Sequence, residues 1–336
     1  MANTYKQMVD EHKHINSTKA MREAVVAYLN TLSSEQKNKS TFEYMDGERQ
    51  FWYYPPMNRH GLALRDMDKD QRKAAMNLAE ASLSPIAYEY MQQIIDHEAI
   101  LGPIEKSKGI ISFVRDSELY YFSIFGNPLS NEEPWGWRVE GHHISFHFSI
   151  WGDTVISTTP FFLGANPAEV KEGDSKGLRI LKKREDLGLE LFNSLDSNQQ
   201  AIAKIADEPP FDILTYNSTK AVLMQEEGLS GKEMTGVQKE ILLSLLDEYH
   251  SVFPQDLYKE KIDNIQSNGL DEMYFVWAGG TILGQQHYYR IHCGNLFIEY
   301  DNRQNDANHT HSVLRDVEND FAENVLRQHQ LLFKVL

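Results

Sequence analysis

Residues 136–150, "GWRVEGHHISFHFSI", and residues 288–302, "YYRIHCGNLFIEYDN", decide how this chain is read. The second stretch answers the first, with Arg290 at the place of Arg138. Within each, "HHISFHFSI" and "NLFIEYDN" are rich in aromatic and β-branched residues and are bounded by Gly, Pro or Asn, which predicts strands. Further out, "SELYYFSIFG" is answered by "DEMYFVWAGG", so that Tyr120 matches Tyr274. Likewise "RHGLALRDMDKDQRKAAMNLAEASLS" is answered by "EEGLSGKEMTGVQKEILLSLLDEYHS". Gly61, Leu62, Met67 and Gln71 fall opposite Gly228, Leu229, Met234 and Gln238 at one offset. "YLNTLSSEQKNK" and "LFNSLDSNQQAIAK" extend the echo towards the start of each half.

Self-similarity on this scale predicts a duplication, roughly 20–165 against 185–305. Residues 68–100 and 236–265 carry apolar positions at helical spacing, such as Ile241, Leu242, Leu245 and Leu246, and strands follow each block. The expected fold is therefore α+β: two internally repeated helix-plus-antiparallel-sheet halves related by a pseudo-two-fold duplication. The halves are placed at 1–175, with an N-terminal helix, and 176–336, with a C-terminal one. They share one compact body, since no Ser/Gly linker separates them. "PFFLGANPAEV" reads as a turn whose Asn-Pro opens a helix. "THSVLRDVENDFAENVLRQHQLLF" reads as a closing amphipathic helix.

The chain has 336 residues, 41% of them hydrophobic, and a formal charge of −16. That size and composition allow a sizeable core. Without a Lys/Arg cluster, the charge argues against nucleic acid or an anionic membrane as partner. The opening "MANTYKQMVDEHKHINSTKAMREAVVAYLN" lacks an apolar export segment, and no stretch reaches the ~20 apolar residues of a membrane helix. A lone Cys293 agrees with a reducing compartment, so a cytoplasmic protein is expected. No G-x-x-x-x-G-K-[ST], G-x-G-x-x-G after a strand, or G-x-S-x-G occurs, which argues against a nucleotide cofactor and α/β-hydrolase chemistry.

Seven of the thirteen histidines fall in two related places: His142, His143 and His147, and His287, His292, His309 and His311. Strand alternation puts His143, Ser145, His147 and Ser149 on one face, matched in the second half by Asn295, Phe297, Glu299 and Asp301. Imidazole opposite carboxylate suits a divalent Zn or Fe ion. In an extended segment His309 and His311 point the same way and can chelate; the competing reading is a polar turn with Asn308 or Thr310 as helix cap. Arg138 and Arg290 are candidates for holding an anionic group, or else structural ion pairs with Glu140, Glu299 or Asp301. "ERQFWYYPPMNRHGL", with Trp52, Tyr54, Pro55 and Arg59, reads as a stiff aromatic loop able to wall a pocket or to fill a core.

"ERQFWYYPP", "LYYFSIFG", "WGWRVEGHHISFHF", "FFLGANPAEV", "HYYRIH", "EYDNRQNDANHTHSVLRD" and "NDFAENVL" together resemble the DUF3500 family of unassigned function, over nearly the whole chain. The resemblance picks out Gly141-His142-His143, Tyr289-Arg290, "EYDN", "NxANHxHS" and "RD". It implies less weight for His147 and His292, where members often carry Asn and Gln. The reading that follows is a metal-dependent hydrolase of a small anionic molecule. Its metal ligands are His309 and His311 with His143 or His142. Glu299 or Asp301 is fourth ligand or base, and Arg138 and Arg290 act on the substrate. Trp52, Tyr54, Arg59, Tyr289, His287 and Asn302 line its site. The alternatives are a non-haem iron oxygenase or oxidoreductase on the same ligands, and a metal-free, non-catalytic small-ligand binder.

Overall fold

The structure, a computed structural model, describes residues 13–223 and 225–333. Residues 1–12, part of the opening stretch read above, lie outside the described residues. The strands are β1 (Thr41–Phe42), β2 (Leu62–Ala63), β3 (Tyr121–Phe125), β4 (Trp135–Gly141), β5 (Ile144–Trp151), β6 (Thr154–Ser157) and β7 (Phe161–Ala165). They continue as β8 (Lys204–Ala206), β9 (Leu229–Ser230), β10 (Tyr274–Gly279), β11 (His287–Cys293), β12 (Leu296–Arg303) and β13 (His309–Asp316). All thirteen join one sheet in the order β1-β3-β4-β5-β7-β13-β12-β11-β10-β8, with β2 on β3, β6 on β5 and β9 on β10.

The helices are α1 (Ile15–Thr31), α2 (Ser34–Ser40), α3 (Lys69–Ser82), α4 (Pro85–Ser107), α5 (Lys182–Ser194), α6 (Ser197–Ala203), α7 (Gly236–His250), α8 (Gln255–Asn268) and α9 (Glu323–Phe333). Helices and a mixed sheet make the fold α+β, as expected. Each predicted helical block is two helices: Ser84 caps α4 with Pro85 at its first turn, and Pro254 precedes α8. Gln71 and Gln238 are the N3 members of capping boxes begun by Asp68 and Thr235. Their amides also exchange hydrogen bonds with Gln36 and Gln199.

Two readings are corrected. "FFLGA" is not a turn but β7, a central strand, and no helix opens at Asn166-Pro167. "HTHSVLRD" is β13, paired with both β7 and β12, and helix begins only at Glu323. β13 is buried on both faces, so it lacks the polar–apolar alternation that marks a half-exposed strand.

One sheet face packs on the helices, with Ile144, Phe146, Leu163, Tyr289, Ile298 and Leu314 against Met91, Leu189, Leu242 and Tyr249. The other face is covered by irregular segments around residues 43–60 and 207–223, where Trp52, Tyr54 and Ile213 pack on Phe162, Val313 and Phe321. Among the described residues no helix is long and apolar enough to cross a membrane.

Candidate metal centre

β4 ends at Gly141 and β5 starts at Ile144, so His142 and His143 form the tight turn between them instead of belonging to the strand. His143 sits at φ 64, a left-handed conformation that costs a non-glycine residue on the order of 1 kcal/mol or more. Its N–H donates to the Tyr54 carbonyl (3.0 Å) and its carbonyl accepts from Gly164 N–H (2.9 Å), which fixes the turn. The imidazole lies over Gly164, where a Cβ would come 2.7 Å from its Cδ2.

A second turn delivers the other histidines. Asn305, Asp306 and Ala307 all have positive φ, and Asn308 brackets Glu169, accepting from its N–H (2.7 Å) and donating to its carbonyl (3.2 Å). β13 follows directly, and its extended backbone points His309 and His311 to the face the irregular segments cover. His311 stands between Gly164 on β7 and Asp301 on β12.

The rings converge. His143 Nε2 lies 2.8 Å from His309 Nε2, and the His311 ring centroid is 4.6 Å from that of His309 and 5.3 Å from that of His143. Asp212, from the irregular segment, places Oδ1 2.7 Å from His311 Nδ1. Asp301 Oδ1 accepts Arg303 N–H (2.8 Å), but its Oδ2 is buried with no hydrogen-bond partner. Two metal-competent groups result, His143–His309–His311 and Asp212–Asp301–His311, sharing His311.

Burial pushes His143 and His309 well below the usual histidine range, with neighbouring imidazoles adding to it. Both are therefore neutral at physiological pH, the form that binds metal. Burial, with Asp212 and Glu299 nearby, raises Asp301 to about 8. A raised folded-state value means that folding takes up a proton here, so the metal-free protein loses stability as pH rises from about 4 to about 8. A cation would reverse this by holding Asp301 ionised. Metal affinity is expected to climb by about one log unit per pH unit up to about pH 8 and then flatten; in Asp301→Asn that slope is lost. Competition titrations against a chelator of known pH dependence measure it.

A metal fits the donor set. Two nitrogens on one tetrahedral Zn stand about 3.3 Å apart, so the His143–His309 gap has to open by only about half an ångström. The buried Asp301 Oδ2, beside His311 and without a hydrogen-bond partner, otherwise has no compensation for its desolvation.

The remaining expected site residues divide. Tyr54 stacks on Phe162 (4.1 Å) and turns its edge to His311 (4.9 Å), so it does border the centre. His142 stacks on His143 (3.7 Å) but directs its own nitrogens to Glu98 and Arg115; it supports the trio and is not a member of it. Trp52 donates to the Ser218 carbonyl, and Arg59 is consumed by the carbonyls of Tyr53, Pro55, Met57 and Gly141, so both hold loops together.

Arg138, expected at the substrate, is tied up inside the protein. It is buried, paired with Glu48 and Glu140, and bonded to the Glu48 and Phe51 carbonyls. Burial alone would raise Glu140; Arg138, His147 and Arg59 instead hold it at about 2. Arg138→Ala leaves that carboxylate buried with its main partner gone, and is expected to cost about 3 kcal/mol in urea unfolding. Metal content should be unaffected.

Arg290 pairs with Glu227 and contacts His292 beside a separate cavity of about 380 Å³ lined by Leu214, Lys220 and Phe297. Glu299 accepts from Leu214 N–H, Thr215 N–H and hydroxyl, and Tyr288 hydroxyl, so it anchors a loop, and neither metal-competent group includes it. His287, Tyr289 and Asn302 face the helices: Tyr289 bonds Tyr249 and the Arg184 carbonyl, and Asn302 bonds Glu185 and His287, which stacks on Trp277. These three are on the wrong side of the sheet for the centre. Asp212, Glu98, Arg115 and Gly164 were not expected from sequence: Asp212 and Glu98 act through contacts more than forty residues away along the chain, Gly164 clears His143, and Arg115 reaches back to Glu105 and across to His142.

The profile of the family described as "Protein of unknown function (DUF3500)" matches residues 14–323. The chain belongs to the DUF3500 family. No curated protein and no solved structure matches it. In this DUF3500 chain the "GHH" turn, the "EYDN" strand and "NxANHxHS" supply His143, Asp301, His309 and His311 to the two metal-competent groups that share His311. His147 and His292 stand apart from both groups. His147 bonds Ser145, and His292 contacts Arg290.

Proposed function

We propose that this protein is a divalent-metal-dependent enzyme, a hydrolase, with His143, His309 and His311 as metal ligands. Asp301 is the fourth ligand or the base, and Asp212 orients His311, as carboxylates behind metal-bound histidines do. The carrying observation is that His143, His309 and His311 bring one nitrogen each within 4.8 Å of one another, and that Asp301, whose Oδ2 is buried without a hydrogen-bond partner, stands as close to the shared His311. A metal there supplies a bound water whose pKa falls to about 7, and hence hydroxide at neutral pH. The same donors suit Fe(II), so metal identity selects between hydrolysis and oxygen chemistry. The substrate's anionic character loses its support, because Arg138 and Arg290 already have carboxylate partners.

Elemental analysis of purified, untagged protein beside His309→Ala/His311→Ala, each checked by circular dichroism, tests this. About one equivalent of Zn or Fe in the parent and none in the folded double variant is expected, with a melting point that falls on chelation. No metal in either protein after incubation with Zn or Fe(II) would replace the proposal with the metal-free ligand binder.

The proposal includes the duplication. In its support, β7 and β13 pair antiparallel, and each is followed outward by the same succession: β5, β4, β3 with β2, β1 on one side; β12, β11, β10 with β9, β8 on the other. Arg138 pairs with His147 as Arg290 pairs with Glu299, and Leu62 with Phe122 as Leu229 with Phe275. Gly61 and Gly228 share positive φ. The register matches Tyr274 to Tyr121, one residue from the Tyr120 expected. A cytoplasmic location is also proposed, on the lone Cys293.

A further inference from the structure

His311 belongs to two donor sets. One is His143, His309 and His311; the other is Asp212, Asp301 and His311; within each, one donor atom per residue lies within 4.8 Å of the others. Among the described residues the five do not form one such set. Opposite ligands on a single ion, at bonds of about 2.0–2.2 Å, stand no more than about 4.4 Å apart, so one ion does not collect all five as they stand. An imidazole, however, has two nitrogens, each able to take a cation. Nδ1 of His311 is on the carboxylate side, 2.7 Å from Asp212 Oδ1, which leaves Nε2 for the histidines.

The carboxylate set makes its own case for a cation. Asp301 is fully buried, and its Oδ2 has no hydrogen-bond partner. Asp212 Oδ1 also accepts Ile213 N–H (2.7 Å), and its Oδ2 takes the Gln304 amide at 3.3 Å. Arg303, whose N–H Asp301 accepts, sends its guanidinium away to Glu208 and the Pro209 carbonyl. Buried like charges this close call for a cation beside them.

We infer that the centre takes two divalent ions joined by the His311 ring, the first on His143, His309 and Nε2 of His311, the second on Asp212, Asp301 and Nδ1 of His311. This rests on the metal reading and adds a site which that reading does not use. With one ion bound, Asp301 keeps the role given above; the second ion takes it as a ligand. The ion on Nε2 acidifies the Nδ1 proton, the second ion replaces that proton, and solvent takes it up. Because the second ion also displaces the hydrogen bond between Asp212 and His311, it fills after the first, on added metal. Across a ring, with metal–nitrogen bonds of about 2 Å, the ions stand on the order of 6 Å apart. Ion pairs that clamp one displaced oxygen stand only about 3.5–4 Å apart, so the second ion does not share the water of the first. It ties the segment of Asp212 to β12 and β13, the same join that Glu299 makes by hydrogen bonds to Leu214 and Thr215.

The test uses metal-free parent, Asp212→Asn and His143→Ala/His309→Ala, each checked by circular dichroism. They are titrated with Zn(II) by calorimetry and, in parallel, with Cu(II) under electron paramagnetic resonance. The parent is expected to bind two equivalents, the second at least about tenfold more weakly. One equivalent of Cu(II) should give the signal of an isolated ion; the second, coupled to it through the ring, should remove more than half of the intensity of two isolated ions at low temperature. Asp212→Asn should stop at one equivalent with the isolated signal, and the His variant should also bind one. A single equivalent in the parent, lost in the His variant, overturns the inference and leaves the one-ion reading standing. A single equivalent that survives in the His variant and is lost in Asp212→Asn moves the ion to the carboxylates and overturns both. Two equivalents that Asp212→Asn retains, or two uncoupled Cu(II) ions, put the second ion elsewhere on the acidic chain and overturn the bridge. No binding by any of the three proteins overturns both readings.

Discussion

Gly164→Ala is expected to lower metal affinity at least a hundredfold while the protein still folds. Gly164 has ordinary strand backbone, so alanine is conformationally allowed and the whole effect is steric. The new Cβ would lie 2.7 Å from His143 Cδ2, 3.0 Å from its Cγ and 3.0 Å from the Thr310 carbonyl. The strand cannot withdraw, because β7 is paired with β5 and β13 on either side. The ring has to move instead, and His142 stacked behind it limits where it can go. Overpacking of this kind costs about 1–3 kcal/mol. Urea unfolding and metal content measure the two effects. In the background of His143→Ala only the 3.0 Å contact with the Thr310 carbonyl remains, so adding Gly164→Ala should cost clearly less there than in the parent, a coupling that independent sites would not show. If Gly164→Ala retains a full equivalent of metal, His143 is not a ligand.

That glycine also shows where the sequence was opaque. The helical blocks 68–100 and 236–265 and the strands β3, β5, β10 and β12 were legible because each keeps its period and is bounded by turn residues. β7 was missed because Gly164 and Asn166-Pro167 look like a turn; the glycine is there to clear a histidine twenty-one residues earlier in the chain, a reason no local pattern carries. β13 was missed because both its faces are buried, Thr310, Ser312 and Leu314 towards the helices and His309, His311 and Val313 towards the irregular segments. His309 and His311 themselves were legible as a chelating pair if extended, and the strand makes them so. Strand parity alone separates two of the expected site residues: in β12 the alternation that turns Asp301 towards His311 turns Asn302 the other way, onto Glu185. Asp212 gives no signal, since it lies in irregular chain and its role appears only once His311 is beside it.

Glu299 is the residue whose meaning changes most. Glu299→Gln is expected to cost about 3 kcal/mol and to weaken metal binding, although Glu299 touches none of the ligands. Its carboxylate, fully buried, accepts from Leu214 N–H (2.6 Å), Thr215 N–H (3.1 Å), Thr215 hydroxyl (2.5 Å) and Tyr288 hydroxyl (2.9 Å). Burial raises its pKa and those donors oppose the rise, so they are what makes the ion tolerable there. Glutamine keeps the shape but turns one acceptor oxygen into an amide nitrogen that faces hydrogen-bond donors, leaving at least one main-chain N–H unsatisfied in the core. The segment so released is the one that carries Asp212 to His311, two residues before Leu214. Metal affinity should therefore fall with the loop and not with a ligand. Asp212→Ala separates the two causes: it should lower affinity to a similar degree with little loss of stability, and Glu299→Gln/Asp212→Ala should bind metal no more weakly than Asp212→Ala. If instead the double variant loses affinity by the sum of the two single effects, Glu299 acts on the metal by a route other than its loop.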